Sequence, residues 1–208
     1  MSRPQTYLHT IQVVFNIMYI TQAVLNEIER KYGVPDVLHT RYPMNRSEFD
    51  LLKWSMRNGR RHDVTLFISN EERDKIAVIR KPSYPKQVFR PPSGGIEPGE
   101  DFEVGARREA YEETGLEIEL QEYAIKSHVN LHFEGEIVPW TSHVLTAHAI
   151  GGRLEQVDKK EIAGVRWATI DELRTDLLER LRQSASAGLQ YRAELQDATL
   201  KQYGGKVI

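Results

Sequence analysis

The chain has 208 residues, and its 28 Lys and Arg against 30 Asp and Glu leave a formal charge of −2, without the basic surplus that general nucleic-acid binding requires. With 40% hydrophobic and 28% charged residues it can bury a substantial core, in one ordinary domain plus an appendage or in two small ones. The absence of cysteine excludes disulfides, thiolate zinc sites and a cysteine nucleophile, and it fits a reducing, cytoplasmic setting.

Between Arg3 and Glu27 no Asp, Glu, Lys or Arg occurs, a length that could span a bilayer. Gln5, His9, Gln12, Asn16 and Gln22 are scattered through it, and each is costly in hydrocarbon. We therefore expect a covered helix rather than a membrane span, packed on the rest of the chain or forming a homodimer contact.

Residues 1–60 read as a helical region and residues 61–208 as the main domain. One helix is expected from about Thr6 to Lys31, ending at Gly33-Val34-Pro35. Another starts at Ser47, taken as the N-cap, and carries Phe49, Leu51, Leu52, Trp54 and Met56. The cluster Arg57, Arg60 and Arg61 follows and reads as a solvated helix end rather than a phosphate patch.

The pattern then turns to strands. Val64–Ile68 and Ile76–Ile79 are apolar and β-branched, and Gln87–Arg90 re-enters an extended form before Pro91-Pro92. Asp101–Thr114 is expected as a helix with Gly115 at its left-handed C-cap. Leu116–Phe133, Val138–Ala149 and Gly164–Ile170 alternate as strands do, and Asp171–Ser184 and Leu189–Tyr203 close the chain as helices.

The most informative feature lies on the Asp101–Thr114 helix. Glu109, Glu112 and Glu113 stand at i, i+3 and i+4, so they share one helix face just after the run Gly94-Gly95-Ile96-Glu97-Pro98-Gly99-Glu100. Like charges there repel unless a cation sits among them. Oxygen ligands suit Mg²⁺, which completes its shell with water and substrate phosphate. No Gly-Lys-Ser/Thr follows the glycines, so the loop is not a P-loop, and the spacing is wrong for a dinucleotide fingerprint. No HExxH or comparable histidine pairing occurs. His128, His132, His143 and His148 read as ordinary strand residues.

Gly94–Leu116 resembles the Nudix box, GX5EX7REUXEEXGU, at every charged and glycine position; Ala110 is small where a larger aliphatic residue is common. The resemblance extends over roughly Asp63–Leu173 and implies an α/β fold, an α/β/α sandwich with a mixed sheet, preceded by the helical N-terminal extension. It implies that Glu109, Glu112 and Glu113, with the Gly94 carbonyl, hold Mg²⁺, with Mn²⁺ as a substitute. Arg108 would pair with a nearby acid, Glu100 being the candidate, and hold the helix against its loop. The implied reaction is attack of a metal-activated water on the diphosphate of a nucleoside diphosphate linked to another moiety, with ADP-ribose or a nucleotide sugar favoured as the small-molecule substrate.

Glu161 is the first candidate for a general base from outside the box, with Asp158, Glu155 and Glu112 as rivals. Phe89 and Arg90, running into the loop, are candidates for stacking on a base and for holding a phosphate, and Arg80 and Lys81 for neutralising further phosphate. Subfamily marks are missing: His132 stands sixteen positions past Leu116, where ADP-ribose and dinucleoside polyphosphate enzymes of this family carry proline or tyrosine. The alternative reading is a non-catalytic ligand sensor that keeps the fold and meets a partner through its N-terminal helices.

Overall fold

The computed structural model describes residues 20–203. The greater part of the expected Thr6–Lys31 helix lies outside the described residues. Its last turns form α1 (Gln22–Tyr32), started by the Thr21 hydroxyl accepting the Val24 amide at 3.3 Å and stopped at Gly33, whose φ is 93°. Leu25 and Ile28 of α1 are buried, so this part of the extension packs on the domain.

Residues 36–43 correct the all-helical reading of the first sixty residues. They form β1 (Asp36–Pro43), paired in parallel along its whole length with β5 (Leu116–Phe133). Leu38, Thr40 and Tyr42 turn half-inward and their neighbours outward, the period of two that a strand covered on one face requires. The next helix, α2 (Arg46–Ser55), is capped by Asn45 rather than Ser47. The Asn45 Oδ1 accepts the Glu48 amide at 3.0 Å and the Glu48 carboxylate accepts the Asn45 amide at 3.5 Å, a reciprocal capping box.

The remaining strands are β2 (His62–Ser69), β3 (Lys75–Arg80), β4 (Ser93–Gly94), β6 (Glu136–Gly152) and β7 (Gly164–Thr169). The sheet order is β1-β5-β6-β2-β3-β7, with β4 added against β2. The β1–β5 and β2–β6 pairs are parallel, and β5–β6, β2–β3, β2–β4 and β3–β7 are antiparallel. Every residue of β2 is buried, as its central position demands. Gln87–Arg90 contributes no strand of its own; Arg90 only exchanges backbone hydrogen bonds with Ile79 at 2.8 and 3.0 Å.

Helices cover both faces. On one, α1 and α3 (Phe102–Thr114) pack through Ile28, Phe102, Ala106 and Ala110 onto Val64, Leu66 and Leu145. The small Ala110, unusual within the box, lets α3 approach this layer closely and is itself fully buried. On the other face α4 (Ile170–Arg174), α5 (Asp176–Arg182) and α6 (Ala187–Gln202) pack through Leu173, Leu177, Tyr191 and Leu195 onto Phe67, Val78 and Val144. The expected Asp171–Ser184 helix is split at Thr175, whose φ of −114° and ψ of −95° are not helical. The result is the expected α/β/α sandwich on a mixed sheet. Among the described residues no helix is long and apolar enough to cross a membrane.

Candidate active site

α3 is set by its ends. The Asp101 carboxylate accepts the Glu103 and Val104 amides at 2.9 and 3.1 Å, and Gly115 closes the helix in the left-handed region at φ 73°. Between them the acidic face meets the glycine loop. Glu109 Oε1 accepts the Gly95 amide at 2.9 Å and Glu113 Oε2 accepts the Ser93 amide at 2.7 Å. The two carboxylates therefore grip the backbone on either side of Gly94. A Cβ at Gly94 would stand 1.8 Å from Glu109 Oε2, so any side chain there must displace that carboxylate.

Arg108 fastens loop to helix, as the resemblance implied. Its Nε and Nη2 each donate to Glu100 at 2.9 Å, a bidentate pair, and Nη2 also donates to the Gly95 carbonyl at 2.8 Å. Its Nη1 donates to Glu109 at 3.1 Å and Glu112 at 3.0 Å. The hydrogen bonds to Glu100 raise the Arg108 pKa above its already high ordinary value. Burial pushes the Glu109 carboxyl up; Arg108 pulls it down and the neighbouring Glu113 charge pushes it up again.

As the side chains lie, no group of three Asp, Glu or His among the described residues closes on one point. Glu109 and Glu112 turn to Arg108, and Glu113 stands 3.4 Å from Lys81 Nζ. The donor set nevertheless fits a hard divalent cation: it is all oxygen, two of the carboxylates are largely buried, and their mutual repulsion is what such a cation relieves. Glu112, about half exposed on the same face, is held at 3.0 Å by Arg108.

The other expected residues divide. Lys81 Nζ also lies 3.0 Å from Glu161, which brings that exposed acid to the rim beside Glu113. Asp158 instead accepts the Lys160 and Glu161 amides of its own turn, and Glu155 sits beside the Gly115 cap. Arg90 is buried, donating to the Tyr84 hydroxyl at 3.1 Å, the Pro91 carbonyl at 2.7 Å and Ser93 Oγ at 2.9 Å. Phe89 and Arg80 turn away toward β7. Arg80 donates to the Ala163 carbonyl at 2.7 Å, and the Arg166 guanidinium lies 5.1 Å over the Phe89 ring. His143 is buried against Tyr123 and His128 stacks on His39 at 5.3 Å, as ordinary strand residues do.

Arg60 is the residue underweighted by the sequence. The basic cluster is divided: Arg57 lies 3.7 Å over the Trp54 ring and Arg61 is exposed, but Arg60 turns inward. Its guanidinium would lie 2.6 Å from a Cβ at Gly95 and stands 5.4 Å over the Trp140 ring. Its position just ahead of the buried strand β2 was the available signal.

The family profile described as the NUDIX domain matches residues 59–189. Over 116 residues the chain is 32% identical to the mitochondrial NAD(P)H pyrophosphatase NUDT13 of Mus musculus, covering 54% of this chain and 30% of that one. It is 31% identical over 109 residues to the NAD-capped RNA hydrolase NudC of Mycobacterium bovis, covering 50% of this chain and 31% of that one. The match thus spans about a third of the length of these relatives. A solved NUDIX hydrolase structure from Nitrosomonas europaea overlays with a TM-score of 0.47 at 17% identity, over 70% of this chain and 90% of the other. With the NUDIX profile covering more than half its length and the box residues meeting in space, the chain belongs to the Nudix family.

Proposed function

We propose that the protein is a divalent-metal-dependent hydrolase that cuts the diphosphate of a nucleoside diphosphate linked to a second moiety. The observation that carries this reading is the grip of Glu109 and Glu113 on the backbone flanking Gly94, locked by Arg108. Glu109, Glu112, Glu113 and the Gly94 carbonyl would hold Mg²⁺ or Mn²⁺. A cation bound there would neutralise phosphate charge and acidify a water.

The chain's own residues have separable parts. Arg108 fixes the acidic face so that its carboxylates need not reorganise when substrate arrives. Lys81, which lies between Glu113 and Glu161, would meet a phosphate oxygen. Glu161, exposed at the rim, is our candidate to accept a proton from the attacking water. ADP-ribose and nucleotide sugars are proposed first. The names of the two relatives, an NAD(P)H pyrophosphatase and an NAD-capped RNA hydrolase, bring a dinucleotide such as NADH in beside them.

The test is product release from ADP-ribose, NADH, nucleotide sugars, dinucleoside polyphosphates and nucleoside triphosphates, with Mg²⁺ and with EDTA. Metal-dependent cleavage of one class is expected. Tight nucleotide binding with no cleavage of any class would replace the hydrolase by a ligand sensor.

A further inference from the structure

We infer that the cavity between α2 and the α5–α6 turn receives the nucleoside half of the substrate, and that α2, locked to α6 through Glu48, is a specificity element. The inference rests on the diphosphate-cleaving reading and identifies where that substrate's remainder goes. The cavity measures about 1000 Å³, the upper end of the range for small-molecule and cofactor pockets. Its walls are largely apolar, including Leu52 of α2, Leu131 and Trp140 of the sheet and Leu189 of α6.

Its mouth joins the acidic loop. Arg60 lines the cavity and lies against Gly95, and Arg90 lines it while donating to Ser93, whose amide is held by Glu113. Among the described residues neither arginine forms an ion pair with a carboxylate, whereas Arg192, which also lines the cavity, is paired with Asp63. Two guanidiniums without a direct carboxylate partner, balanced only at longer range by Asp63 and, for Arg90, by Glu113, therefore stand between a carboxylate site and an apolar chamber. That sequence of charges matches a substrate that runs from diphosphate to nucleoside, with a planar base among the apolar walls beyond Arg60.

α2 closes the chamber. Glu48 Oε1 accepts the Ser186 hydroxyl at 2.5 Å and the Gly188 amide at 3.5 Å, and Oε2 accepts the Ala187 amide at 3.4 Å. One carboxylate thus completes the cap of α2 and binds the first turn of α6 across the opening. On the far side Arg46 and Lys53 pair with Glu134 and Glu136 of the β5–β6 hairpin at 2.9 Å. The family profile begins at residue 59, so this wall comes from outside the matched domain.

The test is calorimetric binding of AMP, UMP and GMP, beside inorganic pyrophosphate, in Mg²⁺ buffer. Ser55→Phe pushes a ring from α2 into the cavity, and Glu48→Gln loosens the latch. The tightest nucleotide is expected to bind each variant at least roughly tenfold more weakly, while pyrophosphate affinity moves by less than roughly twofold. Equal nucleotide affinity in the wild type and in a folded Ser55→Phe protein would overturn the inference, as would no nucleotide binding to the wild type. Metal-dependent turnover with binding indifferent to both variants would sink this inference alone. Cavity binding without any turnover would sink the hydrolase alone.

Discussion

Glu109 and Glu113, one turn apart on α3, accept the backbone amides of Gly95 and Ser93 and so bracket Gly94 between a half-buried and a buried carboxylate. The register of helix against loop is fixed by these hydrogen bonds, and the chemistry assigned to the site depends on that register.

Gly94→Ala tests the closeness directly. The added methyl falls 1.8 Å from Glu109 Oε2 and must displace that carboxylate from the Gly95 amide and Arg108. We expect turnover to drop by about 10² with the fold retained, the scale on which a misplacement near 1 Å acts. Steady-state kinetics beside a melting curve check it; unchanged turnover would mean that Glu109 has no role at this position.

Arg108→Lys removes the planar fork that meets both Glu100 oxygens and the Gly95 carbonyl. An ammonium can keep one of those contacts, so the variant should lose roughly 1.5–3 kcal/mol of stability, the scale of a hydrogen bond to a charged group. Urea unfolding measures the loss, and an equal stability for Lys would show that the fork is unimportant.

Asp63 is buried, held by Arg192 and by Ser142 at 2.5 Å, and these partners hold its carboxyl at about 2 against the cost of burial. Asp63→Ala strands Arg192 beside Thr65 and should cost about 3–5 kcal/mol, whereas replacing both partners by apolar residues should cost much less. Chemical unfolding of the single and double variants separates the two outcomes; additive losses would contradict the pairing.

Acid should destabilise the fold from below neutral pH. Burial lowers the pKa of His143 to about 3 and that of His62 to about 4. His143 faces His62, Asp63, Lys126, His128 and the Tyr123 hydroxyl, and His62 faces Asp63 and Arg60. Both folded values lie below the ordinary histidine value, so the unfolded chain binds more protons in that window. The stabilisation is complete above about pH 6.5 and is lost as pH falls toward the folded values, by up to ~1.4 kcal/mol per pH unit for each histidine. Urea midpoints at pH 7, 6 and 5 should fall in that order, and a His143→Phe variant should flatten the slope. A pH-independent midpoint would contradict this account.

Much of this was legible because the relevant periods are strong. α3 and its caps follow from Asp101, Gly115 and the acidic face, and β2 from a run buried on both sides. β1 was missed because only Leu38, Thr40 and Tyr42 turn inward, between two prolines that read as breakers although prolines are tolerated at strand ends and sheet edges. Arg60 departs from the solvated helix end expected of its cluster because its inward position arises only once β2 carries it against Gly95 and Trp140, far along the chain. Phe89 and Arg90 are neighbours in sequence, but extended backbone sends them to opposite sides, and only Arg90 reaches the cavity. The Glu48 latch joins residues 138 positions apart, beyond any local pattern.

The central claim is that the α3 carboxylates hold a catalytic cation, and Glu113→Gln tests it most directly. The amide keeps the size of the side chain and an oxygen for the Ser93 amide, but it removes the charge. Turnover on the best substrate of the panel should be Mg²⁺-dependent, abolished by EDTA and lower in the variant by about 10² or more, with an unchanged melting temperature. Full metal-dependent turnover by folded Glu113→Gln would contradict the account.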